Sequence, residues 1–411
     1  MKPSDLLRIV DSMHRDKNIE KEVVFRAVEA ALVTAARKHY GEEAAISFQI
    51  DREKGEITGS CDGNSLVYEE VIGRIGAQTA KQVIIQKLRE AERDALIEEF
   101  EAQLNELVSG VVQRNEGGVT TVALGSVEAI LPRSEQIPKE AYHPNQRIEA
   151  IVTDVRAQGS RVKVVLSRTR PKLVQRLFEQ EIPEIAEGII KINAVSREPG
   201  HRSKVAVSSD DQQVDCVGAC VGVRGSRIRT IKDELGGEQI DIVRWSSDPQ
   251  ALITNALKPA DVEEVILCQM LGRAIVLVKE DHLSLAIGKR GQNVRLASKL
   301  VGWDIEIMTQ EELEKQIEKA VAGFCQIEGI TEDLANQLVG EGYLTYDDLS
   351  VIEPDDLMSM GELSEEQVDN IVTTAEEMAE AAAQAGTDGR GRKQAGGASD
   401  SGGTDQNGPK N

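Results

Sequence analysis

Aromatic residues and cysteines are both scarce in this chain of 411 residues. Phenylalanine, tryptophan and tyrosine make up 3% of it, so aromatic stacking platforms can contribute little to any binding surface. The five cysteines are an odd number scattered over a long chain, which argues against a disulfide framework and favours reduced thiols. No apolar run approaches the roughly 20 residues that span a bilayer. The N-terminal stretch has no apolar segment of the signal-peptide kind, so we expect a cytoplasmic protein with no membrane partner.

Residue sets that could support catalysis or metal binding are also missing. The five histidines are dispersed, and none has a triad-like partner nearby in sequence. Cys216 and Cys220 are four residues apart, but no His or Cys pair lies nearby to complete a zinc site. The glycine-rich segments lack the Gly-Lys-Ser/Thr ending of a nucleotide loop. We therefore expect no enzyme activity, no catalytic residues, no metal and no cofactor.

The negative charge is distributed unevenly along the chain. The net charge of −22 divides into −6 for residues 1–106, +1 for residues 107–310 and −17 for residues 311–411. Positive charge is bunched within the middle segment, at Arg161, Lys163, Arg168, Arg170, Lys172, Arg176, Arg224, Arg227, Arg229 and Lys232. Local bunching, and not net charge, makes a phosphate-binding surface, although such runs also suit an ordinary solvated face.

The sequence pattern changes several times along the chain. Apolar residues recur at helical spacing in residues 18–38, and residues 77–107 form a charged pattern typical of a long helix. Five short β runs in residues 108–170 predict a small closed barrel, with the OB fold as first choice. Residues 313–382 are acidic and suggest helix-hairpin-helix units. From about residue 385 almost nothing is apolar, and a disordered tail is expected.

Residues 172–310 contain an internal repeat. The stretch VGACVGVRGSRIRTIKDELGGEQIDIVRW aligns with LSLAIGKRGQNVRLASKLVGWDIEIMT, and each reads as helix, glycine loop, helix, turn and β run. Glycines allow a tight turn and a close approach of phosphate, and the next helix aims free N–H groups at it. This arrangement predicts two KH modules, each of which clamps about four nucleotides of single-stranded RNA. If the glycines were merely helix caps, basic residues inside both loops would be unexplained.

The candidate RNA-binding residues are those of the two loops and the basic or polar residues close to them. They are Gly222, Val223, Arg224, Gly225, Arg227, Arg229, Gly288, Lys289, Arg290, Gly291, Asn293, Arg295 and Arg168. In the barrel, Arg114, Arg133, Arg161 and Arg168 are candidates for contact with RNA, with a solubilising role as the open alternative. Tyr142 is the sole aromatic residue between Val108 and Arg170, so we expect the barrel to contribute charge and shape.

The order of these parts resembles the NusA family of bacterial transcription termination/antitermination factors. The stretches that carry the resemblance are RIGAQTAKQVIIQKLREAER, EAILPRSEQIP, VVLSRTRP, VGACVGVRGSRI and AIGKRGQNVRLASKLVGW. The fold expected is therefore a multidomain α+β protein with an N-terminal α+β domain, an OB-type barrel, two tandem α/β KH modules and a C-terminal helix-hairpin-helix domain. The expected boundaries are 1–106, 107–171 (a ribosomal-S-one-type barrel), 172–248, 249–312 and 313–384, followed by a disordered tail over 385–411.

The resemblance implies a monomeric factor that docks on the RNA polymerase core through residues 1–106, binds nascent RNA and joins other Nus factors. A ribosome-associated RNA chaperone is the alternative. An enzyme of the polynucleotide phosphorylase kind is disfavoured, because about 107 residues before the barrel are too few for its catalytic core. For the acidic C-terminal region two hypotheses stay open: a flexibly attached polyanion that competes with RNA, or a solubilising segment.

Overall fold

The structure is a computed structural model, and it describes residues 3–17, 20–41, 44–61, 64–66, 77–159, 161–211 and 213–394. The chain divides into two units, residues 1–203 with 209–241 and residues 204–208 with 242–411, and each is described by itself. No helix in the described ranges is both long enough and apolar enough to cross a membrane.

The first unit begins with a helix-rich α+β domain. Its elements are α1 (Pro3–Lys17), α2 (Lys21–Tyr40), β1 (Ile46–Ile50), β2 (Ile57–Cys61), β3 (Asn64–Leu66) and the long α3 (Ala77–Glu101). The three strands form an antiparallel sheet in the order β1-β2-β3. Alternate residues of β1 are buried, and Phe48 packs in one core with Phe25 and Val28 of α2 and Leu88 of α3.

A five-stranded barrel follows α3. Its strands are β4 (Leu107–Glu116), β5 (Val119–Leu124), β6 (Val127–Leu131), β7 (Arg147–Gln158) and β8 (Arg161–Ser167), closed in the order β4-β5-β6-β8-β7. The barrel core includes Phe100, which belongs to the last turn of α3. The helix therefore packs with the N-terminal core at Leu88, near its middle, and with the barrel core at Phe100, near its C-terminal end.

The two KH modules repeat one order of elements. The first consists of α4 (Pro171–Glu181), α5 (Pro183–Ala186), β9 (Ile190–Glu198), β10 (Arg202–Ser209), α6 (Cys216–Val221), α7 (Ser226–Glu234) and β11 (Gln239–Arg244). The second consists of α8 (Pro249–Leu257), β12 (Val262–Cys268), β13 (Arg273–Val278), α9 (Glu280–Ile287), α10 (Gln292–Val301) and β14 (Asp304–Met308). Their sheets have the orders β11-β10-β9 and β12-β13-β14. With the barrel and the helical C-terminal region, they confirm the predicted fold class.

The C-terminal region of the second unit is helical, with α11 (Gln310–Phe324), α12 (Glu332–Gly340), α13 (Tyr346–Ser350), α14 (Pro354–Gly361) and α15 (Glu365–Gln394). Its apolar residues form one core with alternate residues of β13, Ile275 and Leu277. At the edge of this core the Arg273 guanidinium donates to both carboxylate oxygens of Asp348, at 2.7 and 3.0 Å. A Cβ added at Gly342 would lie 2.1 Å from the sulfur of Cys268, so the two parts are closely packed.

One hypothesis for this region, the flexibly attached polyanion, is wrong for the acidic helices. The packing on β13 fixes the acidic helices to the sheet of the second KH module, so they are not a flexibly attached polyanion. Helix α15 extends to Gln394, and the predicted start of the disordered tail at residue 385 stays a prediction. The alanine-rich run EAAAQA, which has high helix propensity, lies where the helix was expected to end. The rest of the predicted tail, residues 395–411, lies outside the described residues.

Candidate nucleic-acid interface

The glycine loops of the two KH modules have the same backbone conformation. Gly222 has φ 76° and ψ 172°, and Gly288 has φ 74° and ψ 171°. In both loops an arginine and then a glycine adopt left-handed conformations, with φ/ψ of 54°/27° at Arg224 and 57°/31° at Arg290. In each loop the second glycine's N–H donates to the first glycine's carbonyl at 3.1 Å. Turns that mix right- and left-handed residues make concave backbone surfaces suited to anions.

The two glycines of each loop are needed for different reasons. The first lies in a region of φ/ψ space that is essentially restricted to glycine. A Cβ there would also be 2.8 Å from Arg227 Cγ in the first loop and 2.7 Å from Asn293 Cβ in the second. At Gly225 and Gly291 an added Cβ would meet nothing closer than 3.8 and 4.0 Å. The outer side of each second glycine is thus open to an approaching ligand.

Side chains between the glycines project into solvent in both modules. Val223 is 82% exposed, and Arg224, Lys289 and Arg290 are also exposed. The first loop therefore offers one cation between its glycines and the second offers two. Arg229 and Arg295 are exposed at equivalent positions of the following helices, α7 and α10. These positions suit contact with a phosphate chain passing the loops, and that contact stays a prediction.

Two of the predicted RNA-binding residues are instead occupied inside their modules. Arg227 Nη1 donates to the Glu184 carboxylate at 2.9 and 3.1 Å and to the Ala219 carbonyl at 2.7 Å. Asn293 is 1% exposed, and its amide nitrogen donates to the Leu257 and Ala286 carbonyls. The prediction that Asn293 contacts RNA is therefore wrong, because its amide is buried beneath the loop.

The prediction that Arg168 contacts RNA is also wrong. Its side chain is 1% exposed and pairs with Glu140 of the barrel at 2.7 Å and with Glu234 of α7 at 2.8 Å. It also donates to the carbonyls of Glu149 and Glu234. Burial works to lower the pKa of Arg168, but the two carboxylates outweigh it and raise that pKa. Arg168 therefore joins the barrel to the first KH module.

The barrel presents a separate basic cleft, with a volume of about 850 Å³, between α3 and its strands. Arg89 and Arg93 line it from the helix, and the barrel cations that line it are Arg114, Arg161 and Lys163. Arg93 donates to the Gly159 carbonyl at 3.1 Å, which ties the helix to the β7–β8 turn. Two carboxylates, Glu92 and Glu128, reduce the positive charge of the cleft. Arg133, another predicted barrel candidate, is exposed but does not line it.

Tyr142 cannot serve as a stacking platform in this barrel. It is 5% exposed within the barrel core, and its hydroxyl donates to Glu140 at 2.6 Å. Burial and that carboxylate raise its pKa above the ordinary value, so the phenol stays protonated. The cleft lining contains no aromatic residue, which fits a surface that meets the phosphate backbone and not the bases.

Sequence reasoning missed the carboxylates that organise the first module. Glu238 is buried and bonds Arg197 at 2.9 Å, the Gly200 amide at 2.9 Å and the Ser203 hydroxyl. Glu184 and Glu234 bind Arg227 and Arg168 in the same unit. Each is separated from its partner by about 40 to 70 residues, so no local pattern could have revealed the pairs.

Tandem modules with matched, basic glycine loops, in a chain that also contains a small β-barrel, define this chain as an RNA-binding protein of the KH class. The family models agree: residues 168–245 match the NusA-like first KH domain, residues 249–315 the NusA-like second KH domain, and residues 5–71 and 61–94 the NusA N-terminal domain.

Curated relatives extend this match over most of the chain. The chain is 40% identical over 343 residues to the transcription termination/antitermination protein NusA of Halalkalibacterium halodurans, covering 76% of this chain and 90% of that protein. The NusA of Bacillus subtilis is 40% identical over 338 residues, 75% of this chain and 91% of the relative. That of Rickettsia prowazekii is 40% identical over 346 residues, 76% and 69% respectively. The chain belongs to the NusA family, whose members are transcription factors and not enzymes, and the predicted resemblance is confirmed.

Proposed function

We propose that this chain is an RNA-binding transcription elongation factor that associates with RNA polymerase and nascent RNA and modulates pausing, termination and antitermination. The observation that carries the RNA-binding part is the matched geometry of the loops at Gly222–Gly225 and Gly288–Gly291. Two separate segments of one chain adopt the same restricted conformation, and both place basic side chains in solvent beside an open glycine.

The remaining assignments follow the family. Residues 1–106 would dock on the polymerase core, and the barrel and KH modules over 107–312 would meet single-stranded RNA in the cytoplasm. Other Nus factors would join the complex, with the chain acting as a monomer. The basic cleft of the barrel would add electrostatic attraction for the RNA backbone, because its cations Arg114, Arg161 and Lys163 have no carboxylate partner among the described residues.

A pulldown with the full chain tests this proposal. A cut after residue 106 would leave Phe100 outside the barrel core to which it belongs, so fragments are poor reagents. We expect the tagged chain to retain core RNA polymerase from a bacterial lysate. A variant with Gly225→Asp and Gly291→Asp should retain polymerase equally but lose affinity for single-stranded RNA. Retention of ribosomal subunits without polymerase would overturn the proposal in favour of an RNA chaperone.

A further inference from the structure

One side-chain position supports the glycine loop in both KH modules. Arg227 and Asn293 are each the second residue of the helix that follows the loop. Each packs directly beneath the first glycine, where an added Cβ would clash with it. Each also donates to a carbonyl in the last turn of the helix before the loop, Ala219 at 2.7 Å and Ala286 at 3.0 Å. The same position therefore ties together the two helices on either side of each loop.

The same side chains also reach a third helix, the one that precedes the sheet of the module. Arg227 pairs with Glu184 of the short helix α5, and Asn293 donates to the carbonyl of Leu257 at the end of α8 at 3.1 Å. We use the word brace for this side chain together with its partners. Each brace spans three helices, so it limits how far the loop can shift relative to the body of the module.

The two braces differ in their chemistry. In the first module the side chains of Arg227 and Glu184 are 30% and 31% exposed, so water and ions reach the pair. Added salt shortens the reach of charge from about 10 Å at 0.1 M to about 3 Å at 1 M, so it weakens this partly exposed contact of 2.9 Å without abolishing it. In the second module the brace is a neutral amide, 1% exposed, whose bonds to carbonyls carry no net charge. Salt has little effect on such buried bonds.

We propose that Arg227 and Asn293 are positioning residues that hold the glycine loops in their binding shape, and that salt loosens the first loop before the second. A looser loop should bind phosphate less tightly. This effect on RNA binding rests on the proposed function. The first module then loses RNA affinity with rising salt more steeply than its count of phosphate contacts alone requires. The second module would retain RNA under the same conditions.

Amide hydrogen exchange of the full chain without RNA tests the brace directly. The reporters are the amides of Gly225 and Gly291, bonded within each turn, and those of Gly222 and Gly288, bonded to the helix before it. Between about 0.05 M and about 1 M salt, we expect exchange in the first loop to rise by up to about two-fold, because salt weakens the contact only in part and complete loss of an exposed ion pair would give about five-fold at most. Exchange in the second loop should stay unchanged.

Substitutions test whether the change in exchange comes from the braces. Glu184→Gln should raise exchange in the first loop at low salt at least to the level that the natural chain reaches at high salt, and remove its salt response. Asn293→Ala should raise exchange in the second loop equally at all salt concentrations. The matched control is Asp210→Asn, which breaks the exposed Lys191–Asp210 pair of the same module and should leave both loops unchanged.

An equal salt response of both loops, or no effect of Glu184→Gln on the first, would overturn the proposal. RNA titrations of the same proteins separate it from the proposed function. If the loops exchange as expected but the natural chain binds no single-stranded RNA, the proposal about the braces is supported and the proposed RNA-binding function is contradicted. If RNA binds but the exchange results are contrary, the function stands and the braces fail.

Discussion

The two KH modules present the same loop on different supports. The first module contains buried and half-buried ion pairs at Arg168, Arg197 and Arg227, and that of Arg227 lies at the loop itself. In the second, the loop rests on a buried amide, and the far face of the sheet is covered by an apolar helical region with one ion pair at its edge. The loop dihedrals agree despite this difference. The glycines therefore determine the conformation of the turn, and the contacts around it determine how easily the turn can move.

The largest effect is expected from removing the charge network of the first module alone. Arg168→Ala leaves Glu140 and Glu234 without their buried partner. Breaking a buried pair from one side typically costs about 3–5 kcal/mol, because a charge remains desolvated. We expect calorimetry of the full chain to show a clearly lower unfolding temperature for the part that contains the barrel and first module. Arg114→Ala, which removes an exposed barrel arginine, is the control, and equal stability of the two variants would contradict the account.

A second test asks whether, in both modules, substitution of the first glycine of the loop costs more stability than substitution of the second. Gly222→Ala and Gly288→Ala force a non-glycine residue into a glycine-only conformation, at about 1–3 kcal/mol, and add a clash. Gly225→Ala and Gly291→Ala keep an ordinary left-handed conformation, at about 1–2 kcal/mol, and add no clash because the space around them is open. Urea titration should therefore rank the first glycine as more costly in each module. A reversed order in either module would show that the two turns are not equivalent.

A third test concerns the ion pair between Arg273 and Asp348, at the edge of the helical region that covers the sheet of the second module. Burial alone would raise the pKa of Asp348, but hydrogen bonds from Arg273 and neighbouring groups outweigh burial and hold that pKa below its ordinary 3.8. A lowered carboxyl pKa stabilises the folded state above the ordinary value, and this contribution is lost as pH falls through the lowered pKa. We expect the helical C-terminal region to lose stability below about pH 4.

The matching variant is Asp348→Asn, which removes the charge at every pH. At neutral pH it should cost about 1–3 kcal/mol, the usual range for a buried group that loses its partner. Its unfolding temperature should then depend less on pH below about 4 than that of the natural chain. An unchanged acid response in calorimetry would show that Asp348 does not carry it.

The smallest expected effect concerns the residue that differs between the loops. Lys289 is exposed where the first loop has Val223. If each loop cation neutralises one phosphate, Lys289→Ala should reduce the salt slope of RNA affinity by about 0.7, and Val223→Lys should increase it by about 0.7. The measurement is affinity for one RNA at several salt concentrations. Slopes that do not move in either variant would mean that this position does not meet phosphate.

The loops and the barrel could be predicted because their signals are local. Gly222–Gly225 and Gly288–Gly291 stand in a repeated frame, and five short β runs form a recognisable series. Burial of single side chains could not be predicted. Arg168 looks like its exposed basic neighbours in sequence, but its partners Glu140 and Glu234 are 28 and 66 residues away.

The sheet of the second module, which is covered on both faces, could be predicted only in part. The strand RAIVLV at Arg273–Val278 is apolar without alternation, and every residue after the first is buried. An unbroken apolar run of this kind indicates a strand with both faces covered. The signal was present, but the acidic composition of residues 311–411 obscured the apolar residues, such as Phe324 and Leu338, that cover the second face.

In the proposed function, two matched glycine loops bind single-stranded RNA by its phosphates. The direct measurement is RNA affinity of the natural chain, Gly225→Asp, Gly291→Asp and the double variant, with circular dichroism as the control for folding. Asp places a side chain and a negative charge at the open side of each loop. Each single change should weaken binding by about 1–3 kcal/mol, and the double change by more. A folded double variant that binds RNA as tightly as the natural chain would contradict the account.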